Sequence, residues 1–338
     1  LESEKTKAEK KARLIKLLEE AKAGKKEEAH AAGKKFFSGL RQQSALNPNI
    51  SLGGDFFATY GTSKHPYNRE PSETSMGTGK FDLRELELGI ASVLDPYSRG
   101  KVFLSFGREG VALEEGYIEW LNAPLGMNIK AGEFKTQFGQ LNRYHDHALP
   151  QFSRPRVLIN YFGISNLKGF GIGTNILLPS LTAHVNTLDI QMISGGVDRS
   201  FTSAGKHNFI YVGHFKNYYD LNRSTYFEVG FSSAYGMNDA SESQASLLGG
   251  IDLTFKWSPP GRQKYKGLEW RTEGLLSRRD TGSETIQTWG AFSSLQYRLT
   301  AKTLASVRLD YSQLPWDAAM EEKGFAIIKC AVFCVAPL

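Results

Sequence analysis

The sequence predicts an all-β fold, a transmembrane antiparallel β-barrel preceded by a charged α-helix. Three observations carry that expectation. From Ile50 onward apolar residues recur at every second position, in stretches close to the ~9–11 residues a tilted membrane strand needs. The connections between these stretches alternate long and short, as in barrels with short turns at one rim and longer loops at the other. One connection, residues 136–167, is far longer than compact domains ordinarily carry, yet it holds apolar anchors such as Phe138, Leu141, Phe152, Val157 and Phe162.

The totals of the 338-residue chain agree with this fold. Hydrophobic content is 41% and mean hydropathy −0.35. No apolar run reaches the roughly 18 residues of a membrane helix, which excludes helical spans but not strands, whose alternation dilutes the signal. The net charge of +6 sits mostly at the start: residues 1–41 hold twelve Lys or Arg against seven Glu, a net of +5. The remainder is close to neutral, so the basic balance does not mark a nucleic-acid-binding surface. Cys330 and Cys334 offer no disulfide framework and no metal spacing. The chain begins at Leu1 without a signal peptide, so an exported protein is expected either to have lost one or to begin further upstream.

Residues 1–43 read as a charged helix rich in Ala, Lys, Glu and Leu, with a short coiled coil as the alternative. Leu14, Leu17, Leu18 and Ala21 form only a brief apolar stripe, and Gly24 and Gly33 weaken its far end. Residues 48–325 are the barrel. Ile50, Leu52, Phe56 and Ala58 begin the alternation; Leu86, Leu88 and Ile90 oppose Glu85 and Glu87. Val102, Leu104 and Phe106 oppose Lys101 and Ser105, and Ile118 and Trp120 oppose Glu115 and Glu119. Farther on, Ile251, Leu253 and Phe255 oppose Asp252 and Thr254; Leu295 and Tyr297 oppose Gln296 and Arg298; Val307 and Leu309 oppose Arg308 and Asp310. The stretches near 183–192 and 207–216 alternate poorly, and their faces are left unassigned. Thirteen strands run through Tyr311, and residues 326–338 form an apolar tail without alternation that would make a fourteenth.

Long connections at 62–80, 136–167 and 193–206 fall on one parity; short turns at 95–100, 122–125, 179–180 and 300–302 fall on the other. Residues 107–110 break the rule, being short on the long side. With the N-terminus periplasmic, residues 136–167 are the third external loop. Strand parity turns Lys101, Lys130, Lys256, Arg271, Arg298 and Arg308 inward, with Glu85, Glu87, Glu115, Glu119, Glu228, Asp252, Glu269, Glu273 and Asp310. Six cations against nine anions on one face are costly in a packed core but natural in a water-filled lumen. The lumen wall is accordingly expected to include Glu115, Glu119, Lys130, Lys256, Arg298 and Arg308.

The long loop is basic. Lys135, Arg143, Arg154, Arg156 and Lys168 stand against Asp146, five cations minus one anion, or +4. These five are the candidate constriction residues, either as a funnel that concentrates anions or as pins that tie the loop to wall carboxylates such as Glu115 or Glu119. The loop also holds Tyr144-His145-Asp146-His147. Two histidines one residue apart invite a metal or hydrolytic reading, but nothing in the sequence supplies a third ligand.

The stretch Gly132-Glu133-Phe134-Lys135-Thr136-Gln137-Phe138-Gly139 resembles the G-x-F-K-x-x-F-G motif of the phosphate-selective porins of Gram-negative outer membranes. Arg154-Pro155 is similar to a basic pair that follows that motif, and Glu85-Leu86-Glu87-Leu88-Gly89 also looks like the family. The resemblance implies a trimeric sixteen-stranded barrel in which basic residues guide anions, with Lys135 as the motif lysine at the loop's mouth. Thr136-Gln137 replaces a residue followed by proline, and the wall lacks an arginine ladder. A general or weakly anion-preferring porin of the outer membrane is therefore expected, passing small hydrophilic solutes without chemistry, cofactor or nucleic-acid partner. Its partners would be the lipid bilayer and its own copies. The alternatives are a barrel hydrolase using the His145–His147 loop and a soluble β-sandwich binding protein.

Overall fold

The computed structural model describes residues 48–59, 80–107, 110–151, 153–180, 183–194, 199–202, 208–301 and 303–331. The expected N-terminal helix, residues 60–79 of the first long connection, Phe152 and the last seven residues of the apolar tail lie outside them. Fourteen strands form one sheet in chain order. They are β1 (Asn49–Thr59), β2 (Lys80–Asp95), β3 (Ser98–Gly107), β4 (Gly110–Ala123), β5 (Met127–Lys135), β6 (Lys168–Leu178) and β7 (Val185–Ser194). There follow β8 (Phe209–Asn222), β9 (Thr225–Met237), β10 (Ala245–Trp257), β11 (Gly267–Asp280), β12 (Thr285–Arg298), β13 (Thr303–Leu314) and β14 (Asp317–Ala331). One continuous sheet is not a two-sheet sandwich. Residues 326–331, read from sequence as tail, pair with β13 from Arg308↔Ala326 to Thr303↔Ala331. In the described residues the sheet runs from β1 to β14 without pairing those two strands to each other.

Each strand puts alternate residues on opposite faces. On β10, Ser246, Leu248, Asp252 and Thr254 are buried while Leu247 and Ile251 are exposed. On β12 and β13, Thr288, Phe292, Arg308, Asp310 and Ser312 are buried while Trp289, Leu295 and Leu309 are exposed. Large apolar side chains thus cover the outward face, as a bilayer-facing surface requires.

The sheet curls around the connection between β5 and β6. That connection touches β2 through Glu85 and β14 through Glu322. At about 4.8 Å per strand, a flat sheet would hold those two strands roughly 58 Å apart. The connection therefore lies in the concave interior. It contains a 3-10 turn (Asp146–Ala148) and one helix, α1 (Arg156–Phe162), which starts after Pro155 and stops at Gly163 with φ 74°. Val157, Leu158, Tyr161 and Phe162 of α1 are fully buried, with Phe134, Phe138 and Leu141, against Ile193, Ile210, Leu248, Leu275 and Phe292 of the wall. Burying such a side chain stabilises by about 1.5–3 kcal/mol.

This core places the loop's predicted apolar anchors Phe138, Leu141, Val157 and Phe162 and accounts for the poor alternation near 183–192 and 207–216. Ile193, Ile210 and Val212 face inward under the loop while Ile190, Phe209 and Tyr211 face outward, so apolar residues occupy both faces. The long–short parity also weakens toward the C-terminal half. Residues 258–266 make a longer link than expected on the short side, and residues 281–284 and 315–316 are tight turns on the long side.

Candidate constriction and its loop

The loop leaves the wall at the motif segment, and the structure gives each motif position a physical reason. Gly132 has φ 140°, and a Cβ there would lie 2.2 Å from the Gly116 carbonyl on β4. Gly139 has φ 61°, and its Cβ would meet Glu273 Oε2 at 2.5 Å. Both positions therefore demand glycine. Phe134 and Phe138 enter the core. Thr136 N and Thr136 Oγ1 both donate to the Leu167 carbonyl, at 2.9 and 3.0 Å, which closes the loop's neck. Asn142 cinches it: Nδ2 donates to the Thr136 and Leu167 carbonyls, while Oδ1 accepts from Leu167 N at 2.9 Å. At the departure from the family pattern, Gln137 N donates to Gln191 Oε1 at 2.8 Å, a bond that proline could not make.

Wall carboxylates then accept from the loop at successive points. Glu115 accepts from Lys135 N at 2.7 Å and lies 3.0 Å from His145 Nε2. Glu87 lies 2.5 Å from His145 Nδ1, and Glu85 accepts from His147 N at 2.9 Å. Glu273 Oε1 accepts from the backbone of Gln140 and Leu141, each at 2.9 Å. Glu228 accepts from Gln140 Nε2, and Asp310 from Arg156 N. Burial works against charging His145, but its bonds to Glu115 and Glu87 outweigh this and push it up to about 9. The bond to Glu85 likewise raises His147.

The predicted basic residues fall into two groups. Arg154 is buried; it donates to the Leu141 and Tyr144 carbonyls at 3.2 and 3.0 Å and pairs with Asp146 inside the loop. Lys135, expected at the mouth, is 3% exposed and pairs with Glu114 at 2.9 Å. Arg156 faces Glu322 at 3.9 Å, and Lys168 faces Glu133 at 3.6 Å. Arg308, expected on an open lumen wall, has no exposed side-chain surface. It binds Asp310 at 2.7 Å, Gln151 at 2.9 Å and Ser153 Oγ at 3.0 Å, together with the Ser153 carbonyl. Arg154, Arg156 and Arg308 hold the loop in place, whereas Lys135 and Lys168 lie at the ends of β5 and β6 and pair strand to strand.

The second group borders open space. A polar cavity of about 280 Å³ lies between the loop and β4–β8, lined by the cations Lys130, Arg143 and Lys216 and the anions Glu119 and Asp189. Gln137, Gln140, Asn128 and Asn175 add amides. Arg143 is exposed, and Lys130 Nζ stands 4.1 Å over the Phe134 ring. Glu119 pairs with Arg99 at 2.7 Å. Lys256 pairs with Glu269 at 3.6 Å, and Arg298 lies near the end of β12, half-buried. Lys216 and Asp189 escaped the sequence reading because their strands alternate poorly. Asn142 and Gln140 escaped it because a loop amide that bonds to backbone carries no periodic signal.

No family model matches the chain. An uncharacterised protein of Aquifex aeolicus (strain VF5) is 26% identical over 247 residues, covering 66% of this chain and 51% of that protein. The chain thus spans about half the length of that curated relative. Among solved structures, the outer-membrane channel DcaP of Acinetobacter baumannii is similar with a TM-score of 0.41 and 10% identity, over 82% of this chain and 95% of its own. A loop L8 deletion mutant of OmpT, an outer membrane protein of Vibrio cholerae, matches with a TM-score of 0.40 and 9% identity, over 79% of this chain and 94% of that one.

Proposed function

We propose that the chain forms a water-filled channel in the outer membrane of a Gram-negative bacterium, passing small hydrophilic solutes by diffusion, with residues 136–167 as its constriction. The observation that carries this reading is the loop's place. It is folded against the concave face from β2 to β14 and leaves beside it a cavity lined by charges of both signs and by amides. Conduction requires that an ion be attracted enough to enter yet held weakly enough to leave, and on the channel reading a lining of both signs serves that balance. Anion guidance, on this reading, rests on Arg143 and Lys130, because Lys135, Arg154 and Arg308 are spent inside the protein. Assembly as a homotrimer belongs to the same reading and is tested by the mass of the detergent-solubilised complex.

The test is single-channel conductance in a planar bilayer with reversal potential in a salt gradient. Discrete open steps of weak selectivity are expected, with Arg143→Ala shifting the reversal potential toward the cation. A folded protein that gives no steps would overturn the channel reading. Turnover of a substrate abolished by His145→Ala would move the assignment to a barrel hydrolase.

A further inference from the structure

The sequence offers two loop histidines and no third ligand; the fold brings the missing ligands from 60 residues away. Glu85 and Glu87 stand two apart on β2, so both carboxylates project from the same face, and both are buried. The loop lays His147 across them: Nδ1 lies 3.2 Å from Glu85 Oε1 and 3.6 Å from Glu87 Oε2. One donor atom from each of Glu85, Glu87 and His147 falls within 4.8 Å of the other two. We propose that these three residues form a binding site for a divalent first-row transition-metal ion that staples the inner loop to β2.

The spacing fits. Metal bonds of about 2.0–2.2 Å in a tetrahedron put neighbouring ligand atoms roughly 3.3–3.6 Å apart, and both contacts of His147 lie at or near that range. One imidazole and two carboxylates suit zinc, cobalt or nickel, whereas calcium and magnesium sites use oxygen alone. Three protein ligands leave a fourth position for water or a solute group. The surroundings are those that ligands need to stay aimed. His145 Nδ1 contacts Glu87 Oε2, the same oxygen that faces His147, and its Nε2 contacts Glu115, so the imidazole orients the Glu87 carboxylate toward the site. Ser105 Oγ donates to Glu85 Oε2 at 3.2 Å, leaving Oε1 toward His147. Gly53 of β1 leaves room for the imidazole, since even a Cβ there would stay 3.5 Å from Cδ2. The cluster thus has ligands from two elements and its own positioning residues, and the ion would replace hydrogen bonds as the link between them.

The inference is independent of the channel reading, because uptake is read without a bilayer. Full-length protein in detergent, stripped with a chelator, would be titrated with Zn²⁺ by calorimetry and with Co²⁺ by visible absorption. Saturable uptake of one ion, with cobalt bands of four- or five-coordinate geometry, is expected. Glu87→Gln and His147→Asn should weaken it about tenfold or more, while His214→Asn, a lumen histidine paired with Asp252, should leave it unchanged. Heat-modifiable migration on a gel verifies that each variant is folded, and Glu85→Gln replaces Glu87→Gln if the latter fails. No saturable uptake by the folded wild type, or equal uptake by the folded Glu and His variants, would overturn the site.

Discussion

Gly139 concentrates two constraints in one residue, a positive φ and a buried carboxylate 2.5 Å from where a Cβ would sit. Gly139→Ala should cost about 1–3 kcal/mol for the backbone alone, and more because Glu273 must move away from the amides it accepts from. The check is a fall in the temperature at which the folded form is lost in heat-modifiable migration; an unchanged temperature would mean the turn relaxes freely. Arg308 is the larger test. Its guanidinium joins Asp310 on its own strand to Gln151 and Ser153 of the loop, using the fork geometry that lysine lacks. Arg308→Met strands a buried carboxylate and should cost about 3–5 kcal/mol. Arg308→Lys should recover only part of that, because one ammonium cannot span the same acceptors. Full recovery in the lysine variant would show that charge alone suffices.

At the scale of the element, the loop is held by acceptors on the wall more than by its own arginines. Glu273→Ala removes the acceptor shared by Gln140 N and Leu141 N, and a stranded buried donor costs about 1–3 kcal/mol. Hydrogen exchange at those two amides should accelerate, while exchange in the β10–β11 ladder stays slow; equal protection in the variant would place the loop's stability in its apolar core alone. The loop's limits were legible in sequence, since alternation stops at Lys135 and resumes by Gly169, and the structure ends β5 at Lys135 and starts β6 at Lys168. Its partners were not legible. Strand parity turned Glu85, Glu87, Glu115, Glu273 and Asp310 inward, but parity says nothing of what they meet there. The end of β14 was equally hidden. Residues 326–331 lack alternation, yet ladder bonds are made by backbone and require none.

At the scale of the whole molecule, the loop's positive excess and the wall's negative excess are one arrangement. Seven inward carboxylates meet the loop: Glu85, Glu87, Glu115, Glu228, Glu273, Asp310 and Glu322. Much of what meets them is backbone N–H and amide. The cations that meet them, Arg156 with the His145 and His147 imidazoles whose charged forms these acids favour, are fewer than the acids. The loop therefore satisfies these acids without cancelling them one for one. Removing residues 137–166 would open the cavity and turn the same carboxylates toward water. The channel reading then predicts a larger conductance and a reversal potential moved toward the cation. The shift should be greater at 0.1 M salt, where charges act over about 10 Å, than at 1 M, where they act over about 3 Å. A wider pore with unchanged selectivity would mean that the freed carboxylates pair with wall cations such as Arg308 and Lys216. The wall would then balance its own charge, and the loop would serve only to narrow the passage.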